Sequence, residues 1–247
     1  MLPATIAILV SAMVGTAFLS GIFGMAGGLI LVGILLAIMP LPEAMMLHGI
    51  TQLASNGWRG LLWIKYVHWR PVAAYIGGCA VAMIAWSFFR YVPSTPLALI
   101  LLGVTPFMIR VIPAQFRPSP ESHVQTAGCG VICMSLILLT GVSGPLVDTF
   151  FLNGKMDRRE IVATKAICQM FGHLAKILYF GAIIDQAASL DPMIAALAIA
   201  ASMVGTTLAT RVLQAMTDKQ FRAWANGIIT VIAGYYIVQG AYLFVVS

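Results

Sequence analysis

Long apolar runs broken by glycine alternate along this chain with short polar connectors. Residues 4 to 40 form one such run, interrupted by Gly21-Ile22-Phe23-Gly24-Met25-Ala26-Gly27-Gly28. As one straight helix it would reach about 55 Å, against a hydrocarbon core of about 30 Å. It therefore has to break, and the glycines permit the backbone angles of a sharp turn. The result is either a re-entrant hairpin or two tightly joined helices. After the turn at Met39-Pro40-Leu41-Pro42 the pattern predicts helices over 43–63, 71–89 and 95–112, with Glu43 in the first turn, where a carboxylate meets the positive end of the helix dipole. The proline-rich stretch 114–123 is the longest polar connector and is expected to join two halves, 1–113 and 124–247.

The second half repeats the plan. An apolar run from Val124 breaks at Gly141-Val142-Ser143-Gly144-Pro145, resumes to Leu152, and ends in the charged turn 153–160. Helices are predicted over 160–184, 192–211 and 218–246, with an acidic connector holding Asp185 and Asp191, and with Asp218 as the last N-cap. A shift of 117 places Glu43 on Glu160, Gln52 on Gln169, Asn56 on His173 and Arg59 on Lys176 without a gap.

Charge fixes the sense of each half. The connectors 65–70, 110–117, 155–159 and 211–222 are basic, whereas 41–43 and 185–191 carry only acids. With the basic connectors on the cytoplasmic side the helices alternate correctly, provided each glycine-broken run starts and ends on one side. Glu43 then lies outside and Glu160 inside. The expected architecture is an all-α polytopic membrane protein, an inverted repeat of two halves, each with a glycine-broken (re-entrant or paired) helix plus three transmembrane helices.

Composition supports a lipid environment. The chain has 247 residues, 60% hydrophobic and only 9% charged, against about 25% charged in soluble domains. The pattern of a membrane β-barrel, alternating over about ten residues, is missing. The first residues lack the positive region of a cleavable signal, so the N-terminus reads as mature. A net charge of +6 would suit nucleic acid, but the basic residues lie in connectors, which marks the cytoplasmic face instead. Cys79, Cys129, Cys133 and Cys168 all fall in apolar segments and read as packing, with no disulfide expected.

The candidate chemistry sits in two stripes. Gln52, Asn56 and Arg59, and Gln169, His173 and Lys176, are spaced i, i+4, i+7, one face of a helix. Each stripe offers an amide, a second hydrogen-bonding group and a cation. Ionisable groups at that depth cost about 2.5 to 3.5 kcal/mol each, so they face a cavity or a partner. Helices restarting after Gly24 to Gly28, or after Gly144 at Pro145, would add free backbone N–H groups and a positive dipole end, again favouring an anion, which brings Gly27, Gly28, Ser143 and Gly144 into the candidate site. His173 and Asp148 are the candidates for proton coupling; each also has a structural reading, as an interhelical hydrogen bond and a helix-start acid. The sequence contains no Ser-His-Asp set, P-loop or metal-ligand cluster, so neither an enzyme nor a cofactor or metal is expected.

These motifs resemble the sulfite exporter TauE/SafE family of membrane transporters. The resemblance rests on Gly24-Met25-Ala26-Gly27-Gly28, Pro42-Glu43-Ala44, Gly141-Val142-Ser143-Gly144-Pro145, and Arg159-Glu160 leading to Thr164, in that order along nearly the whole chain. It implies multi-pass residence in the bacterial inner membrane and export of small sulfur-containing anions, such as sulfite, sulfoacetate or other organosulfonates. Lipid and the anion are the expected partners, with room for a homodimer and none for nucleic acid. An anion channel of the same architecture is the alternative reading, and a non-transporting receptor or assembly protein the third.

Overall fold

In a bilayer every backbone polar group has to be satisfied within the chain, which leaves apolar segments of this length little choice but helix. In the computed structural model, residues 3–24, 26–113, 118–152, 154–183 and 190–246 are described, and they are helical apart from short connectors. The helices are α1 (Pro3–Phe23), α2 (Ala26–Ile38), α3 (Leu41–Leu62), α4 (Trp69–Phe89), α5 (Thr95–Val111), α6 (His123–Thr140), α7 (Gly144–Leu152), α8 (Arg158–Leu178), α9 (Pro192–Ala215) and α10 (Asp218–Val246). A π-helical turn, Tyr179–Ile183, continues α8. Met25, part of the 114–123 linker, Asn153 and Asp185 lie outside the described residues.

Both predicted breaks are present. α1 ends at Gly24 and α6 at Gly141, whose φ angles are 86° and 87°, the left-handed region open to glycine. Each N–H closes the preceding helix, Gly24 onto the Ser20 carbonyl at 2.8 Å and Gly141 onto that of Ile137 at 2.9 Å. α7 starts at Gly144, with the amides of Leu146 and Val147 on the Ser143 carbonyl.

Helix starts follow local chemistry. Asp157 caps α8: its carboxylate accepts from the amides of Arg159 and Glu160, and Glu160 Oε2 accepts from the Asp157 amide at 2.9 Å. Asp157→Ala should lower stability by about 1 kcal/mol, read as a lower thermal midpoint in detergent. The cap of α10 differs from expectation. Asp218 lies inside the helix, and Thr217 is the cap, its hydroxyl accepting from Gln220 N at 3.2 Å while Gln220 Oε1 accepts from Thr217 N at 3.0 Å. A Gln three residues on lets Thr217 form a reciprocal box, which an Asp cap one residue later could not share.

Six helices among the described residues are long and apolar enough to cross a membrane, lying within α1, α4, α6, α8 with its π-helical turn, α9 and α10. α3 has the length, 22 residues or about 33 Å, but Thr51, Gln52, Ser55, Asn56 and Arg59 make it too polar to rank with them. It is instead enclosed by protein, packed on α8, α9, α1 and α2. The chain is thus an all-helical polytopic membrane protein whose polar helix α3 is enclosed by other helices.

Contacts between helices come in matching sets. α1 packs on α9 and α6 on α4; α3 packs on α9 and α8 on α4; α2 touches α10 and α7 touches α5. α3 and α8 pack on each other, as do α5 and α10. Exchanging α1–α5 for α6–α10 in order turns these pairs into one another. α3 and α8 run antiparallel, since Gly49 faces Ile177, Gly57 faces Met170 and Gly60 faces Ile167.

Candidate functional site

The α3–α8 crossing carries both polar stripes into the interior. Gln52, Asn56, Arg59, Gln169, His173 and Lys176 are all at most 4% exposed. Arg59 lies in the last turn of α3, and Lys176 in the last α-helical turn of α8, before the π-helical turn that continues it. Among the described residues the buried cations are Arg59, Lys165 and Lys176, and the buried acid is Asp148. The interior therefore carries more positive than negative charge.

Two of these cations are anchored at helix ends. Lys176 Nζ donates to the carbonyl of Gly141 at 3.1 Å and contacts His48 Nδ1 at 2.7 Å. The Lys165 amine lies against Gly24 and forms a buried ion pair with Asp148. Each amine thus meets the carbonyl end of a broken helix, α6 or α1, where the dipole is negative. Glycine at those points also leaves the room, since a Cβ on Gly24 would collide with the Lys165 amine.

Arg59 is different. None of its three guanidinium nitrogens has a hydrogen-bond partner, although the side chain is 1% exposed. Asp148 and Lys165 lie within its electrostatic reach, but Asp148 is already bonded to Lys165. Other buried polar atoms also lack partners: Gln52 Nε2, Asn56 Oδ1, Gln169 Oε1, His173 Nδ1 and Ser143 Oγ. Asn56 spends its amide on the Gln52 carbonyl one turn back, at 2.9 Å. Burying that many unsatisfied groups is costly unless something else enters to meet them.

The expected residues fall into two groups. Around Lys176 gather His48, Gly28 and Gly141, with the His173 ring 5.5 Å from that of His48. Gln52 belongs beside them, because a Cβ on Gly28 would meet its Oε1 at 3.1 Å. Around Asp148 gather Lys165, Gly24 and the field of Arg59. Gly27 is packed under the α1 backbone at Thr16, so close that only glycine fits. Gly144 opens α7 beside Asp148.

His48 and Lys165 were not singled out from the sequence. A signal existed, because the shift of 117 that aligns Gln52 with Gln169 also aligns His48 with Lys165 and Gly24 with Gly141. Each residue sits one turn before its glutamine, on the side that meets the broken helix.

The fold and this interior define a polytopic membrane protein built to hold a polar, electropositive centre inside helices. The chain matches the sulfite exporter TauE/SafE family over residues 7–236 and belongs to it. Its activity is accordingly of the transporter type, moving small anions across a membrane. Neither the curated proteins nor the solved structures contain a match to the chain.

Proposed function

We propose that the protein is a secondary transporter that exports small sulfur-containing anions, such as sulfoacetate, other organosulfonates or sulfite, across the bacterial inner membrane. The observation that carries this reading is Arg59, a guanidinium enclosed by protein with no hydrogen bond on any nitrogen. A sulfonate or sulfite oxyanion supplies several acceptor oxygens, and charge-assisted bonds to such groups are about twice as strong as neutral ones. Gln52, Asn56, Gln169, His173, Ser143 and the start of α7 at Gly144 add donors or orienting groups along the same α3–α8 crossing, and Lys176 adds positive charge towards its other end. Gly27 and Gly28 let α2 begin close to α1 and Gln52.

The two halves are read as inverted repeats, the first ending at 113 and the second starting at 124. The matching helix contacts and the antiparallel α3–α8 pair support that reading. A central site between such halves can open to either side by related motions. The same architecture could form an anion channel, so the test is kinetic. In liposomes containing the purified protein, sulfoacetate or sulfite flux should saturate and be accelerated by the same anion on the opposite side. Single-channel currents, or flux rising linearly without saturation, would overturn the carrier.

A further inference from the structure

We propose that His48 and Lys176 together bind a proton that crosses the membrane with the anion. The proposal rests on the transport reading above and names its coupling ion.

The two side chains are members of one hydrogen-bonded chain. His48 Nε2 meets the carbonyl of Gly28 at 3.0 Å, His48 Nδ1 meets Lys176 Nζ at 2.7 Å, and Nζ continues to the carbonyl of Gly141 at 3.1 Å. This line ties α3 to α8 and touches both broken helices. A carbonyl can only accept, so Nε2 carries a hydrogen. Between Nδ1 and Nζ one nitrogen has to offer a lone pair to the other. Whichever nitrogen that is, the pair holds at most one positive charge, and the last proton of its full complement is missing. Adding that proton sets N–H against N–H at hydrogen-bond distance. The link between α3 and α8 then opens.

The surroundings decide what can stabilise the second proton. From α8, Lys176 and His173 face His48, and His173 Nδ1 is without a hydrogen bond. The π-helical turn brings Tyr179, whose hydroxyl donates to the Tyr91 carbonyl at 3.0 Å. α1 and α2 contain no ionisable side chain, and α9 brings only the exposed Arg211. α6 and α7 bring the exposed His123, the buried thiols Cys129 and Cys133, and Asp148, which is bonded to Lys165. α3 itself adds Glu43 in its first turn and Arg59 in its last. Among the described residues, then, no carboxylate bonds the pair. The negative charge that would favour a second proton has to arrive with the substrate. Linkage makes this reciprocal: an anion that raises proton affinity at His48–Lys176 is itself bound more tightly once the proton is there. A proton taken up on one side and released on the other balances one negative charge of the cargo.

The test uses sulfoacetate, whose acidic groups stay ionised near neutral pH, so that protons it moves come from the protein. Calorimetric binding to the purified protein in two buffers of different ionisation enthalpy should give about one proton taken up per anion, and a Kd that tightens with falling pH by at most about tenfold per unit, the limit for one linked proton. Binding with no proton uptake and a flat Kd overturns the coupling and leaves the transport reading standing. Binding of neither sulfoacetate nor sulfite overturns both. In liposomes holding a pH-sensitive dye, His48→Gln should lower the number of protons moved per anion from about one to near zero, whatever flux remains, because the amide can replace both hydrogen bonds but not the titration. An unchanged ratio in that variant overturns the proposal.

Discussion

Asp148→Asn should destabilise the protein by about 3–5 kcal/mol, the usual result of removing one member of a buried ion pair. Lys165 is fully buried against Gly24, and Asp148 is its counter-ion. Losing the carboxylate strands the ammonium in the interior and also removes the nearest negative charge from Arg59. Lys165→Met should be of similar size, since it strands the acid instead. The double variant Asp148→Asn/Lys165→Met should recover much of the loss, because replacing both members leaves no orphaned charge. Unfolding in mixed micelles measures all three. Losses that simply add in the double variant would show that the two residues act independently.

Arg59→Gln should have the opposite sign on stability and a large cost in binding. The free protein carries the desolvation of a guanidinium with no hydrogen bonds, so the shorter neutral amide should raise the thermal midpoint without ligand. Anion binding should weaken by about 1.5–3 kcal/mol, roughly a 10- to 150-fold rise in Kd, as expected for losing hydrogen bonds from a charged group. The stabilisation that sulfoacetate gives the wild type should shrink in proportion, since a ligand bound only by the folded state raises its stability. A variant that is less stable yet keeps its Kd would assign Arg59 to holding helices together.

Much of the helical plan was legible because lipid allows so few alternatives. The run 4–40 could not be one helix, and it breaks at Gly24, as the length argument required. The bounds of α3, α4 and α5 match the expected ranges to within two residues at each end. α9 runs on to Ala215, past Arg211, because a single arginine near the end of an apolar helix need not stop it. The polar stripes were legible as buried, but their inequality was not. Arg59 and Lys176 look alike in a self-alignment, whereas Lys176 is held by a glycine carbonyl and by a histidine 128 positions away. His48 in turn resembled an ordinary histidine in an apolar run, since spacing along one helix cannot reveal a partner supplied by another. Lys165 was hidden in the same way, its acid lying on α7, a different helix.

The polarity of α3 also bears on how the chain is made. A helix carrying Gln52, Asn56 and Arg59 has little tendency to enter lipid alone, and its main polar-face partners, α8 and α9, are synthesised roughly a hundred residues later, when the earlier helices have already left the ribosome. α3 can pack on α1 and α2 as soon as it is made, but on α8 and α9 only once those helices follow. A chain cut in the 114–123 connector should leave α3 without α8 and α9, the surface on which its polar face packs.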